Sequence, residues 1–262
     1  MRNILDQLAD AARKRVERQK ESIPFGEMKE RALREPVTQE FAFERAIGAG
    51  GIRFICECKK ASPSKGLIAP EFPYLDIAVA YEQSGAAAVS VLTEPEWFLG
   101  SDRYLQEIAD TVHIPCLRKD FTVDPYMIYQ AKLLHASAVL LICALLDTDT
   151  LKKDIEICDR LGLSALVEAH DENELDSAVR AGARIIGVNN RNLKDFTVDL
   201  SNSLRLREKA PDSVLFVAES GIHTQEDVRT LESYGVNAVL VGEQLMRAAD
   251  PGTELKKLKS EV

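Results

Sequence analysis

The chain has 262 residues, 45% of them hydrophobic and 29% charged, so it can bury a substantial core without disulfides or metal. A formal net charge of −9 with no block of Lys or Arg argues against nucleic acid or an anionic membrane surface as the main partner. No run of about 18 apolar residues occurs and the start lacks the apolar core of a signal peptide, so a cytoplasmic protein without a membrane span is expected.

Ile4, Leu5, Leu8, Ala11, Ala12 and Val16 recur at helical spacing and predict a helix whose apolar stripe packs on another element. Pro24 and Gly26 are expected to break it. A second helical stretch is expected around Thr38 to Ile47, ending at Gly48 and the Gly50-Gly51 pair. Residues 1–48 therefore read as a helical extension packed on a main domain of 49–262.

From there a rhythm sets in. Short apolar or β-branched runs occur at 53–58, 87–92, 115–118, 138–142, 164–167, 184–188, 214–218 and 238–241. Helical periodicity lies between them at 74–84, 103–111 and 150–161, and Gly85, Gly162, Gly182 and Gly235 mark helix-to-strand connections. Strands alternating with helices imply an α/β fold with a parallel sheet. Eight repeats in about 200 residues suit a (β/α)8 TIM barrel better than a doubly wound sheet, and no Gly-x-Gly-x-x-Gly follows the first strand.

In such a barrel the active site lies at the C-terminal ends of the strands. These ends are polar: Glu57-Cys58-Lys59-Lys60, Arg118-Lys119-Asp120, Val167-Glu168, Asn189-Asn190-Arg191 and Glu219-Ser220-Gly221. Side chains alternate along a strand, so Ile55, Glu57 and Lys59 share one face and Phe54, Cys56 and Cys58 the other. If the cysteine face packs on the helices, Glu57 and Lys59 point into the barrel mouth. Lys119, Glu168, Asn189 and Glu219 join them by the same parity.

Polar strand ends solvated at the rim are common, but five strands sharing the feature on one face point to acid–base chemistry. Ser220-Gly221 and Gly242-Glu243, after the seventh and eighth strands, match the usual phosphate cradle of these barrels. The five cysteines are expected to be buried reduced thiols, with Cys56, Cys116 and Cys143 in apolar, strand-like runs, and Cys56-x-Cys58 lacks a second pair at zinc-site spacing. His113, His135, His170 and His223 show no ligand spacing and read as surface or satisfied histidines, so no metal is expected.

At these residues the sequence resembles the indole-3-glycerol phosphate synthase family. The resemblance is carried by Glu57-Cys58-Lys59-Lys60-Ala61-Ser62-Pro63-Ser64-Lys65-Gly66 and Leu117-Arg118-Lys119-Asp120-Phe121. It extends through Leu166-Val167-Glu168, Asn189-Asn190-Arg191-Asn192-Leu193, Ala218-Glu219-Ser220-Gly221-Ile222 and Val241-Gly242-Glu243.

The resemblance implies a carboxy-lyase of tryptophan biosynthesis that closes the indole ring of a phosphorylated small-molecule substrate and needs no cofactor. By its motifs, Lys119 resembles the general acid on the ketone oxygen and Glu168 the base that helps expel water. Lys59 resembles the partner of the substrate carboxylate and a proton donor in dehydration, and Glu57, Asn189 and Glu219 the groups that orient them. Ser62, Ser220, Gly221, Gly242 and Glu243 would surround the phosphate, the last through its N–H. Arg191 would bind substrate, and Phe98, Phe121 and Leu140 would wall the aromatic ring. A monomer, or weak association with other enzymes of the pathway, is implied. The competing readings are another phosphosugar barrel enzyme, such as phosphoribosylanthranilate isomerase, and a non-catalytic barrel that binds a phosphorylated ligand.

Overall fold

A computed structural model describes residues 4–192 and 196–259; Leu193 of the Asn-Asn-Arg-Asn-Leu motif lies outside them. Eight parallel strands close into a barrel: β1 (Arg53–Cys58), β2 (Ala88–Leu92), β3 (Cys116–Lys119), β4 (Ala138–Ile142), β5 (Ser164–Ala169), β6 (Ile185–Asn189), β7 (Leu215–Glu219) and β8 (Ala238–Val241). Each pairs with the next in sequence, and β1 closes on β8 with Ile55 opposite Leu240. All eight expected strands are present, with ends shifted by at most two residues. The four connecting glycines named above all adopt positive φ.

The alternation sorts side chains into two cores. Ile55, Leu117, Leu140, Leu166, Ile185 and Val217 fill the barrel interior. Phe54, Cys56, Cys58, Val89 and Val167 face the surrounding helices. The five cysteines are free and all but Cys143 are buried.

Three helices precede the barrel: α1 (Ile4–Ser22), α2 (Phe25–Arg34) and α3 (Ala42–Ile47). The expected break at Pro24 and Gly26 is only a junction, because Pro24 is the N-cap of α2 and Gly26 lies in its first turn, where a helix tolerates it. Met28 and Ala32, one turn apart, bury the inner face of α2, while Glu27–Arg31 and Glu30–Arg34 pair on the outside. The helical stretch expected from Thr38 begins only at Ala42. Phe43 and Ile47 of α3 are fully buried and close the barrel end where the strands begin. Burial of such side chains stabilises by about 1.5–3 kcal/mol each.

The remaining helices are α4 (Tyr74–Gln83), α5 (Asp102–Thr111), α6 (Pro125–Leu133), α7 (Thr148–Leu161), α8 (Glu172–Ala181), α9 (Ser201–Arg207), α10 (Gln225–Ser233), α11 (Glu243–Arg247) and α12 (Pro251–Lys259). Short α11 directly follows β8, a place where barrels of this kind often carry an extra helix. Among the described residues no helix is long and apolar enough to cross a membrane.

Candidate active site

At the strand C-termini a pocket opens, and every residue singled out from the sequence lines it: Glu57, Lys59, Ser62, Phe98, Lys119, Phe121, Leu140, Glu168, Asn189, Arg191, Glu219, Ser220, Gly221, Gly242 and Glu243. Parity delivers the charged groups, and outward-facing neighbours fix them. On β3, Arg118 is buried on the helix side and donates to Met127 O at 2.8 Å, Asp102 at 2.7 Å and Gln130 at 2.8 Å. Asp120 accepts from Thr93 Oγ1 at 2.5 Å and, with both oxygens, from Arg15 of α1 at 2.7 Å. Lys119, between these two anchored residues, has a fixed origin on the inner face.

Two ammonium groups face three buried carboxylates. Lys59 Nζ donates to Glu57 Oε1 at 2.6 Å, and Glu57 Oε2 accepts from Ser90 Oγ at 3.2 Å. Lys119 Nζ lies 3.3 Å from Glu168 Oε2 and 3.5 Å from Glu219 Oε2. Burial alone would strip Lys119 of its proton, but Glu168, Glu219 and Glu57 outweigh it and hold the proton well above the ordinary lysine range. Burial likewise opposes ionisation of Glu57 and Glu168, yet Lys59 and Lys119 keep the first charged, and Lys119 and His170 the second.

Glu219 is the exception. Burial pushes it up to about 7, Lys119 pulls the other way, and the charges of Glu168 and Glu57 add to the rise. Its Oε1 has no hydrogen-bond partner among the described residues. Of the three carboxylates, Glu219 is the one that most readily takes up a proton.

Two glycines make this crowding possible. A Cβ on Gly187, inside β6, would stand 2.3 Å from Glu219 Oε1, so the bare backbone leaves the slot that the carboxyl fills. A Cβ on Gly242 would stand 2.6 Å from Glu57 Oε1 and 3.2 Å from Lys59 Nζ, so the turn after β8 presses against that ion pair.

Above the charges lies an apolar wall. The rings of Phe98 and Phe121 have centroids 6.0 Å apart, and Leu140 is buried beside the barrel core. Phe98 is held because the buried Glu94 carboxylate accepts the N–H groups of Glu96, Trp97 and Phe98, while Phe98 O accepts Ala61 N–H at 3.2 Å.

At the turns, Ser220 and Gly221 both take positive φ, which costs energy at a serine. Asn190 Nδ2 secures the turn by donating to Ser220 O at 3.0 Å. The Glu243 carboxylate turns toward cations: Arg247 Nε at 3.2 Å, Lys65 Nζ at 3.5 Å and Arg191 Nη2 at 3.8 Å.

Sequence reasoning missed three contributions. Ile4 and Leu8 bring the first turns of α1 into the pocket wall, foreshadowed only by their spacing of four. Phe196 and Ile142 also line it. His170, read as a satisfied or surface histidine, instead lies within 3.4 Å of Glu168. His113 and His135 are indeed exposed and pair with Glu82 and Asp110. Among the described residues no group of three or more His, Cys, Asp or Glu is arranged to hold a metal ion.

The family model for indole-3-glycerol phosphate synthase matches residues 5–258. A curated indole-3-glycerol phosphate synthase of Ruminiclostridium cellulolyticum is 59% identical over 256 residues, 98% of this chain and 98% of that protein. One of Endomicrobium trichonymphae is 52% identical, covering 98% of this chain and 99% of its own. Among solved structures, 3-hexulose-6-phosphate synthase from Salmonella typhimurium superposes with a TM-score of 0.66 at 15% identity, over 80% of this chain and 98% of that one. That likeness concerns the fold alone.

Proposed function

The chain belongs to the indole-3-glycerol phosphate synthase family, and on that premise we propose which residues carry the reaction. The enzyme of this family closes the ring of 1-(o-carboxyphenylamino)-1-deoxyribulose 5-phosphate, giving indole-3-glycerol phosphate, CO2 and water in tryptophan biosynthesis. A C–C bond forms between the ring carbon that bears the carboxylate and the ketone carbon. The C–CO2 bond then breaks and returns its electron pair to the ring. Finally the former ketone oxygen leaves as water, with a hydrogen from the neighbouring methylene.

Lys119 is the general acid of ring closure. Held by three carboxylates, its proton is not available to a resting ketone, but the developing alkoxide is a base strong enough to take it. Glu168, kept ionised, removes the methylene proton in dehydration, and Lys59 both pairs with the substrate carboxylate and protonates the departing hydroxyl. Glu57 aims Lys59, and Asn189 and Glu219 hold Glu168 and Lys119 in register. Phe98, Phe121 and Leu140 exclude water from the aromatic ring. Ser62, Ser220, Gly221, Gly242 and the N–H of Glu243 receive the phosphate, with Arg191 beside them.

Residues 1–48 serve as an extension packed on the catalytic barrel of 49–262. The protein works in the cytoplasm, as a monomer or in weak association with other enzymes of the pathway. The observation that carries the assignment of roles is the placement of Lys119 between Glu168 and Glu219.

The test is steady-state fluorescence of indole-3-glycerol phosphate formation by the parent and Lys119→Met. The variant is expected to lose about a hundredfold or more in kcat with KM little changed, the general acid–base range. Circular dichroism checks the fold, which is expected to survive because carboxylates robbed of their cation take up protons. A folded Lys119→Met with near-parent kcat would move the acid to Lys59.

A further inference from the structure

His170 directly follows the last residue of β5, and its side chain is only 20% exposed. Nδ1 lies 3.1 Å from Glu174 Oε2, and the same oxygen accepts the His170 backbone N–H at 2.8 Å. The His170 carbonyl accepts Asn202 Nδ2 at 3.1 Å. The residue is thus held from both α8 and α9. Nε2 is buried, makes no hydrogen bond among the described residues, and comes within 3.4 Å of Glu168 Oε1. Glu168 gives its other oxygen, Oε2, to Lys119.

We propose that His170 is a positioning residue for the reaction: anchored by Glu174, its imidazolium keeps Glu168 ionised and aimed while Lys119 is without its proton. The inference rests on the reading of Glu168 as the base. With Nδ1–H directed at Glu174, a neutral ring would turn a lone pair on Glu168 Oε1, and only the imidazolium places a proton there. The ring meets carboxylates of Glu168 on β5 and Glu174 on α8, and the charge of Glu219 on β7 also acts on it. The nearby Cys143 thiol, after β4, is pushed up to about 12 by burial and stays neutral. Burial works against the imidazolium, but the Glu174 hydrogen bond and the Glu168 charge outweigh it.

The order of steps gives this cation its purpose. Lys119 surrenders its proton in ring closure, and Glu168 acts afterwards, in dehydration. Between the two events Glu168 loses its ammonium partner inside a buried site, where a lone carboxylate tends to take up a proton. A second positive partner that does not enter the chemistry keeps the base ready.

The experiment is the pH dependence of kcat for the parent, His170→Gln, Glu174→Gln and Glu168→Gln, each checked for folding by circular dichroism. His170→Gln is expected to lower kcat at pH 7 by roughly ten- to a hundredfold with KM little changed. Its acid limb should move up by about one pH unit, a shift that loss of packing alone would not produce. Glu174→Gln keeps an acceptor for the backbone N–H and removes the charge, so it should move the limb the same way by less. An acid limb and kcat at parent values in both folded variants overturn the inference. Should His170→Gln fail to fold, Glu174→Gln decides by the same criterion. Glu168→Gln separates the two readings: near-parent kcat there means that the base lies elsewhere.

Discussion

Replacing Gly187 by alanine sets strand propensity against close approach. Glycine inside a strand weakens it, so propensity alone expects Gly187→Ala to be neutral or mildly stabilising. A Cβ at this position would stand 2.3 Å from Glu219 Oε1 and 3.2 Å from Leu166 Cδ1, whereas ordinary contact begins at 3.4 Å. The carboxyl must therefore retreat by about 1 Å into the pocket it lines, which carries Oε2 away from its 3.5 Å approach to Lys119. Misplacing a catalytic group by that much costs about a hundredfold in rate, or roughly 2.7 kcal/mol of transition-state stabilisation. Steady-state fluorescence should show kcat down about a hundredfold and KM changed much less, with the thermal midpoint close to the parent's. The effect must run through Glu219, so Gly187→Ala should cost little more in a Glu219→Ala background. Parent-like kcat in Gly187→Ala, or full additivity in the double variant, would refute the reasoning.

Lys59→Met should raise KM clearly and lower kcat as well, because Lys59 is assigned both a ground-state contact and a later proton transfer; a pure kcat effect in steady-state kinetics would remove the carboxylate contact. Inorganic phosphate should compete with substrate in an initial-rate series if the Ser220-Gly221 and Gly242-Glu243 turns, which line the pocket, form the proposed anion site; noncompetitive inhibition would count against it. Asp154 of α7 is buried with neither carboxylate oxygen bonded among the described residues, and burial, then Asp124, pushes it up from 3.8 to about 6. The folded state thus binds this proton more tightly than the unfolded one. The stability it contributes is present below about pH 4 and is lost as the pH rises to about 6. Asp154→Asn should accordingly raise the thermal midpoint by about 2–6 °C at pH 7.5 and by almost nothing at pH 4, and an equal shift at both pH values would contradict that account.

How much of this was legible beforehand follows from what is local. The period of two along a strand placed Glu57, Lys59, Lys119, Glu168, Asn189 and Glu219 on the inner face, and a one-residue error would have turned them all outward. The eightfold alternation of strand and helix implied closure, and the motifs from Glu57 to Glu243 pointed to the family. α2 escaped notice because Pro24 and Gly26 signal a break and equally a helix start; burial of Met28 and Ala32 decides between them, and that depends on packing against α6.

Pairing is a different matter. Arg15 meets Asp120 across 105 residues of chain, Lys119 meets Glu219 from a strand four places round the barrel, and Gly187 matters only because Glu219 leans into it. His170 has no distinguishing spacing, and its significance arises from a 3.4 Å approach to Glu168 inside a buried site. A sequence with period-two order determines which face a side chain takes, since that is set by the backbone one residue at a time. Which charges share a proton, and which carboxylate keeps it, depends on distances and desolvation that exist only after the barrel has closed and excluded water.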